Sequence, residues 1–129
     1  MENTMIARRL LLTAFAVGNV LAIAACAENA PSAAPEVLAT GEALYMEHCA
    51  SCHGANLEGQ PNWQVPNADG VFPAPPHTRD GHTWHHPDAL LLRIIAEGGT
   101  TINSEMPAFG DRLTEEEMKA ILAFIKSFW

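Results

Sequence analysis

The sequence has 129 residues, which is the length of one domain and too short for a multidomain enzyme with a separate cofactor module. Seven Lys and Arg residues against fifteen Asp and Glu residues give a formal net charge of −8, which argues against nucleic acid as a partner because phosphate binding needs a basic face. Apolar residues make up 48% of the chain and charged residues 17%, the composition of a globular protein.

The N-terminal segment has the features of an export signal. Arg8 and Arg9 precede an uncharged run, residues 10–25, which matches the basic and apolar regions of such a signal. A membrane-spanning helix needs roughly 20 apolar residues, whereas this run is shorter and is interrupted by Asn19. We therefore predict that residues 1–25 direct export to the periplasm.

A cysteine follows the apolar run. Ile23-Ala24-Ala25-Cys26 resembles the lipobox of bacterial lipoproteins, in which the cysteine becomes the acylated first residue, although Ile23 stands where that pattern usually has Leu. The resemblance implies a lipid on Cys26 that anchors the chain to a membrane; the alternative is an ordinary signal cut near this position. Residues 26–36 contain Ala, Pro and Ser without a periodic pattern, so they predict a flexible tether before a domain at 37–129.

The first predicted helix runs from Glu36 to Cys49. It contains good helix formers, and Leu38, Leu44 and Tyr45 have the spacing of one buried face. Gly41 lies inside the helix, where Gly costs about 1 kcal/mol relative to Ala. We therefore expect another backbone or a bulky ring to pack closely against Gly41.

The chemistry is concentrated in Cys49-Ala50-Ser51-Cys52-His53, a C-x-x-C-H sequence that indicates covalent haem attachment. On a helical turn the two cysteines share one face, so they can bind two vinyl groups along one porphyrin edge while His53 reaches the iron. A thioredoxin-like pair would need a βαβ pattern, and a zinc site would need further ligands at finger spacing. The sequence predicts one covalent haem c.

A long loop follows. Between Gly54 and Trp84 there are five prolines and no sustained period, so we expect a non-protein group to order this segment. Four histidines fall within residues 77–86: His77, His82, His85 and His86. Imidazoles are the commonest metal ligands, so this group could bind copper or zinc or displace another ligand on the iron. The alternative is that they face water or bind a propionate, with His86 at a helix start.

Two more helices are predicted towards the C-terminus. One begins with Pro87 at its first position and Asp88 in its first turn, and it ends at Gly98-Gly99. The other begins with a capping box at residues 114–117, Thr-Glu-Glu-Glu. The apolar residues at helical spacing are Leu90, Leu91, Ile94 and Ile95 in the first helix, and Met118, Ile121, Leu122 and Ile125 in the second.

The motifs together resemble the class I monohaem c-type cytochromes of bacteria, over residues 37–129. The resemblance implies an all-α fold with three main helices and a long loop wrapped around one covalent haem. It also implies that the first and last helices cross at Gly41, opposite an aromatic residue such as Phe124. The matching positions are Gly41, Tyr45, Cys49, Cys52, His53 and Gly54, followed by the segment Met106-Pro107-Ala108-Phe109-Gly110.

The same resemblance implies a second axial ligand and a partner for the first. Met106 is the expected sixth ligand, because a thioether is soft and neutral and Met106 lies outside any helical period; Met46 and Met118, in contrast, occupy helical core positions. In this family a proline carbonyl accepts a hydrogen bond from the ligating histidine. We expect Pro61 to do so, with Pro75 and Pro76 as alternatives.

Trp63 and Trp84 could lie against the haem or donate an indole N–H to a propionate.

The predicted function is a one-electron carrier that exchanges electrons with donor and acceptor proteins, acts as a monomer and transforms no substrate. One alternative is a haem-based sensor or peroxidase-like enzyme with a labile Met106. Another is a periplasmic copper-handling protein that uses the histidine group.

Overall fold

The computed structural model describes residues 33–129; the predicted signal, Cys26 and most of the predicted tether lie outside the described residues. The described part has no β-strand, so the predicted all-α class is confirmed. Among these residues, no helix combines the length and apolar character required to span a membrane. The helices are α1 (Pro35–His48), α2 (Ala50–His53), α3 (Asp88–Glu97) and α4 (Glu115–Lys126), with 3₁₀ turns at Thr83–His85 and Thr100–Ile102.

Helices α1 and α4 cross at Gly41, as the sequence led us to expect. A Cβ atom built on Gly41 would overlap the Ala120 carbonyl and would lie 2.9 Å from the Phe124 Cβ. Glycine is therefore the residue that lets the two backbones approach. The Phe124 ring packs beside the Tyr45 ring, with 5.4 Å between centroids.

The core lies between α1, α3 and α4 and is closed by loop residues. Tyr45 and Ile121 are almost completely buried, and burying a large apolar side chain stabilises the fold by about 1.5–3 kcal/mol. Met46 is 49% exposed, which corrects its predicted core position, since it follows Tyr45 by one residue and so points away from the buried face. The buried cluster consists of Tyr45, Leu57, Ile95, Phe109, Leu113, Met118, Ile121, Phe124 and Ile125.

The helix ends follow local sequence signals. At the start of α4, the Glu117 N–H donates to Thr114 Oγ1 at 3.2 Å, and the Thr114 N–H donates to a Glu117 carboxylate oxygen at 2.8 Å, which completes the predicted capping box. Pro87 is the N-cap of α3 and not its first residue, a shift of one position. Gly98 ends α3 with φ 79°, a left-handed value that glycine adopts without strain.

The long loop folds back on itself through backbone hydrogen bonds. The His77 N–H donates to the Leu57 carbonyl at 2.9 Å, and the Gln60 N–H donates to the Ala74 carbonyl at 2.8 Å. These bonds hold residues 74–77 alongside residues 57–60, directly after α2. The loop thereby brings residues that are distant in sequence against the C-x-x-C-H turn.

Candidate haem site

The C-x-x-C-H motif forms a short turn of helix after α1. The Cys49 N–H donates to the Tyr45 carbonyl at 2.8 Å, and the His53 N–H donates to the Cys49 carbonyl at 2.9 Å. No disulfide joins the two cysteines of the motif. Burial, with a smaller effect of Cys52, raises the pKa of the Cys49 thiol to about 11.

His53 has one ring nitrogen occupied. Its side chain is buried, and its Nδ1 lies 2.9 Å from the Pro75 carbonyl oxygen. Since a carbonyl can only accept, Nδ1 carries the proton and Nε2 keeps its lone pair for a metal ion. Burial lowers the pKa of His53, which favours this neutral form, although the Pro75 hydrogen bond opposes the shift.

Two cavities adjoin at this turn. The smaller cavity, of about 290 Å³, is lined by both cysteines of the motif, His53 and Met106. The larger cavity, of about 550 Å³, is lined by His53 and Met106 together with mainly apolar and aromatic side chains. The residues common to both walls are His53, Phe72, Pro73, Ser104 and Met106.

Met106 is held in place by its own backbone. Its carbonyl accepts a hydrogen bond from the Gly99 N–H at 2.9 Å, and its N–H donates to Ser104 Oγ at 3.3 Å. The side chain is partly buried against the core cluster. The walls of adjoining cavities therefore present two thiols, an imidazole nitrogen and a thioether, the donor set that a haem c with two axial ligands requires.

Comparison with known proteins decides the family. A family model described as Cytochrome c matches residues 38–129. The chain belongs to the cytochrome c family. Haem c is therefore its cofactor, and haem-based electron transfer is the activity that this membership supports.

Curated relatives of this cytochrome are subunits named for a cbb3-type cytochrome c oxidase. The FixP subunit of Sinorhizobium medicae (strain WSM419) is 30% identical over 96 residues, which cover 70% of this chain and 29% of the relative. The CcoP subunit of Azospirillum sp. (strain B510) is 28% identical over 97 residues, 75% of this chain and 30% of the relative. The FixP subunit of Rhizobium meliloti (strain 1021) is 29% identical over 120 residues, 85% of this chain and 38% of the relative. This cytochrome spans less than two fifths of each relative.

The proline that accepts the His53 hydrogen bond is Pro75, one of the two alternatives, and not Pro61. Pro61 is exposed on the outside of the loop. The expectation for Pro61 rested on its short distance along the chain from the histidine. The structure corrects it because the hydrogen-bonded return of the loop brings residues 74–77 of this cytochrome next to His53.

The two tryptophans occupy different environments. Trp63 lines the larger cavity and stacks on the His82 ring with 5.2 Å between centroids, so it remains a candidate haem contact. Trp84 lines neither of the two cavities, is 42% exposed and donates its indole N–H to the Gly81 carbonyl at 3.1 Å. Because its indole N–H is already used in this local turn, the geometry does not favour the predicted haem contact.

The histidine group is divided between two surroundings. His82 and His86 meet edge to face, with 5.3 Å between centroids, and both line the larger cavity, whereas His85 stacks on Trp84. Burial and the neighbouring His86 and His85 lower the pKa of His82. Within residues 33–129, no three His, Cys, Asp or Glu side chains are arranged to hold a metal ion, so the geometry does not favour the copper or zinc interpretation.

Several contacts of the site were not predicted from the sequence. The Tyr45 hydroxyl donates to the Gly54 carbonyl at 2.9 Å and so joins α1 to the end of the C-x-x-C-H turn. The ring of His77 stacks on the ring of His53. Phe72 and Ser104 line both cavities. The contacts of His77, Phe72 and Ser104 depend on loop closure, for which the sequence has no periodic pattern.

Proposed function

We propose that this cytochrome carries single electrons between redox proteins, with Cys49 and Cys52 joined to one haem c and with His53 and Met106 as its axial ligands. The observation that carries this proposal is that His53 and Met106 line the same two cavities, one of which also contains both thiols. When bound, the haem iron supplies reversible one-electron chemistry.

The side chains have separate tasks in this proposal. The Pro75 carbonyl fixes the tautomer of His53 and increases the electron donation of its free nitrogen. The neutral thioether of Met106 favours the ferrous state and raises the reduction potential. The backbone hydrogen bonds at Gly99 and Ser104 would limit movement of Met106 when the iron changes oxidation state.

If His53 and Met106 both bound the iron, no iron position would remain for a small-molecule substrate, so this ligation would favour an electron carrier over a peroxidase-like enzyme or gas sensor. The partners in this proposal are proteins that exchange electrons with the bound haem. The relatives are named as oxidase subunits, which supports a membrane respiratory complex as one partner.

Ligation by Met106 can be tested in the oxidised holoprotein. A methionine-ligated ferric haem has a weak far-red absorption band, which we expect in the parent protein and expect to be lost in Met106→Ala. Met46→Ala is the matched control, because Met46 is 49% exposed on α1 and lies outside both cavities. A band that persists in Met106→Ala would show that another residue supplies the sixth ligand.

We further propose that residues 1–25 are removed on export, that Cys26 then carries lipid, and that residues 26–36 tether the domain at 37–129 to the periplasmic side of a membrane. The support is the lipobox-like sequence before Cys26. Mass spectrometry of the mature protein should show a chain that begins at this cysteine with added acyl mass, and Cys26→Ser should release the protein from membranes. A mature chain without lipid would contradict the anchor and leave the proposal for electron transfer intact.

A further inference from the structure

One face of the proposed axial ligand is covered by a second imidazole. The rings of His53 and His77 stack with 4.1 Å between centroids and 21° between planes. The Pro75 carbonyl contacts only Nδ1, at the edge of the His53 ring, at 2.9 Å. A single edge hydrogen bond still permits the ring to tilt about the bond, whereas a flat contact on its face opposes that motion.

His77 is itself fixed from several directions. Its Nδ1 lies 2.9 Å from Thr83 Oγ1, and its backbone N–H donates to the Leu57 carbonyl at 2.9 Å. Its carbonyl accepts the indole N–H of Trp129 at 3.0 Å, and its ring meets the Tyr45 ring edge to face with 6.4 Å between centroids. A residue whose backbone and ring are both restrained can serve as a rigid support for a neighbour.

We propose that His77 is a positioning residue for the haem ligand: its ring fixes the plane of the His53 imidazole through face-to-face stacking. This inference rests on the proposed role of His53 as an axial ligand. Orientation of a ligating imidazole is a known means by which outer contacts tune a metal site. His77 acts through His53 and needs no contact with the iron.

The experiment uses the oxidised holoprotein and two variants of similar bulk. His77→Phe keeps a flat ring that can stack, and His77→Leu fills the space without one. The line widths of the ferric electron paramagnetic resonance signals report how uniformly the axial imidazole is oriented. We expect the signal of His77→Leu to broaden and that of His77→Phe to keep the parent width. His85→Leu is the control, because His85 stacks on Trp84 outside both cavities, and it should match the parent.

The outcomes separate the two proposals. A parent spectrum without the far-red methionine band, or without signals of a ligating imidazole, would refute the proposed ligation before any variant is compared. Parent-like signals in both His77 variants, or equal broadening in both, would overturn the positioning role, because the flat ring would then be irrelevant. If neither variant yields holoprotein, Trp129→Phe decides, since it removes the donor to the His77 carbonyl and keeps the ring at position 77. A broadened paramagnetic resonance signal in Trp129→Phe supports the inference, and an unchanged signal in this variant overturns it.

Discussion

At the scale of single residues, the site and the fold depend on individual backbone groups and on one position without a side chain. The Pro75 carbonyl leaves His53 with one free ring nitrogen, and the Gly99 N–H holds the backbone of Met106. Gly41 contributes by lacking a side chain, because the Ala120 carbonyl occupies the space where a Cβ would lie. The role of Gly41 follows from its position in a helix, whereas the role of Pro75 follows only from loop closure.

We expect Gly41→Ala to destabilise the domain. The added methyl group would force α1 and α4 apart, and overpacking of this kind costs about 1–3 kcal/mol. Chemical denaturation of the holoprotein measures the free energy of unfolding. Glu42→Ala is the control, since Glu42 is an exposed neighbour on α1 and substitutions at such positions stay within about 0.5 kcal/mol. An unchanged stability of Gly41→Ala would mean that the helices do not cross at this residue.

At the scale of elements, each helix boundary has a local cause. The capping box satisfies backbone N–H groups at the start of α4, and Gly98 ends α3 in a left-handed conformation. Lys126 of α4 also pairs with Asp88 of α3, with 2.7 Å between nitrogen and oxygen, which joins the end of one helix to the start of the other. The helix boundaries could be predicted from the sequence because capping involves residues within a few positions of one another.

We expect the capping box to make stability depend on acid pH. Hydrogen bonds from the Thr114 backbone and then its hydroxyl lower the pKa of Glu117 below its ordinary value. A carboxylate with a lowered pKa in the folded state stabilises the fold above its unfolded pKa, and the contribution is lost as the pH falls through the folded pKa. Thermal unfolding of Glu117→Gln should therefore be less sensitive to acid than that of the parent. Glu116→Gln, a neighbour whose side chain is not part of the box, should keep the parent sensitivity, and equal curves for Glu117→Gln and the parent would contradict this role.

At the scale of the whole molecule, the acidic charge lies outside the larger cavity. The chain has a formal net charge of −8, yet the described side chains that line the larger cavity include no Asp, Glu, Lys or Arg. An uncharged cavity suits a buried redox centre, because burial and low dielectric tune its potential. The acidic exterior acts at longer range, on the approach of partners.

We expect ionic strength to affect electron transfer in opposite directions for reagents of opposite charge. The acidic protein attracts a cationic one-electron reagent, so the rate of reaction with this reagent should fall as the salt concentration increases. The protein repels an anionic reagent, so the rate of reaction with that reagent should rise as the salt concentration increases. Stopped-flow measurements of haem oxidation between low and physiological salt test this expectation. The same salt dependence for both reagents would indicate that net charge does not govern their approach.

The sequence alone determined the features that depend on short stretches of chain. The C-x-x-C-H turn, the capping box of α4 and the close approach at Gly41 each follow from the geometry of a helix and the size of a few side chains. The tertiary structure decided the choice of Pro75 over Pro61, the outward position of Trp84 and the stacking of His77 on His53. The physical reason is that these contacts depend on where a non-periodic loop returns. Backbone hydrogen bonds between distant residues set that return, and nearly all residue types carry the same backbone groups, so the sequence does not mark the partners.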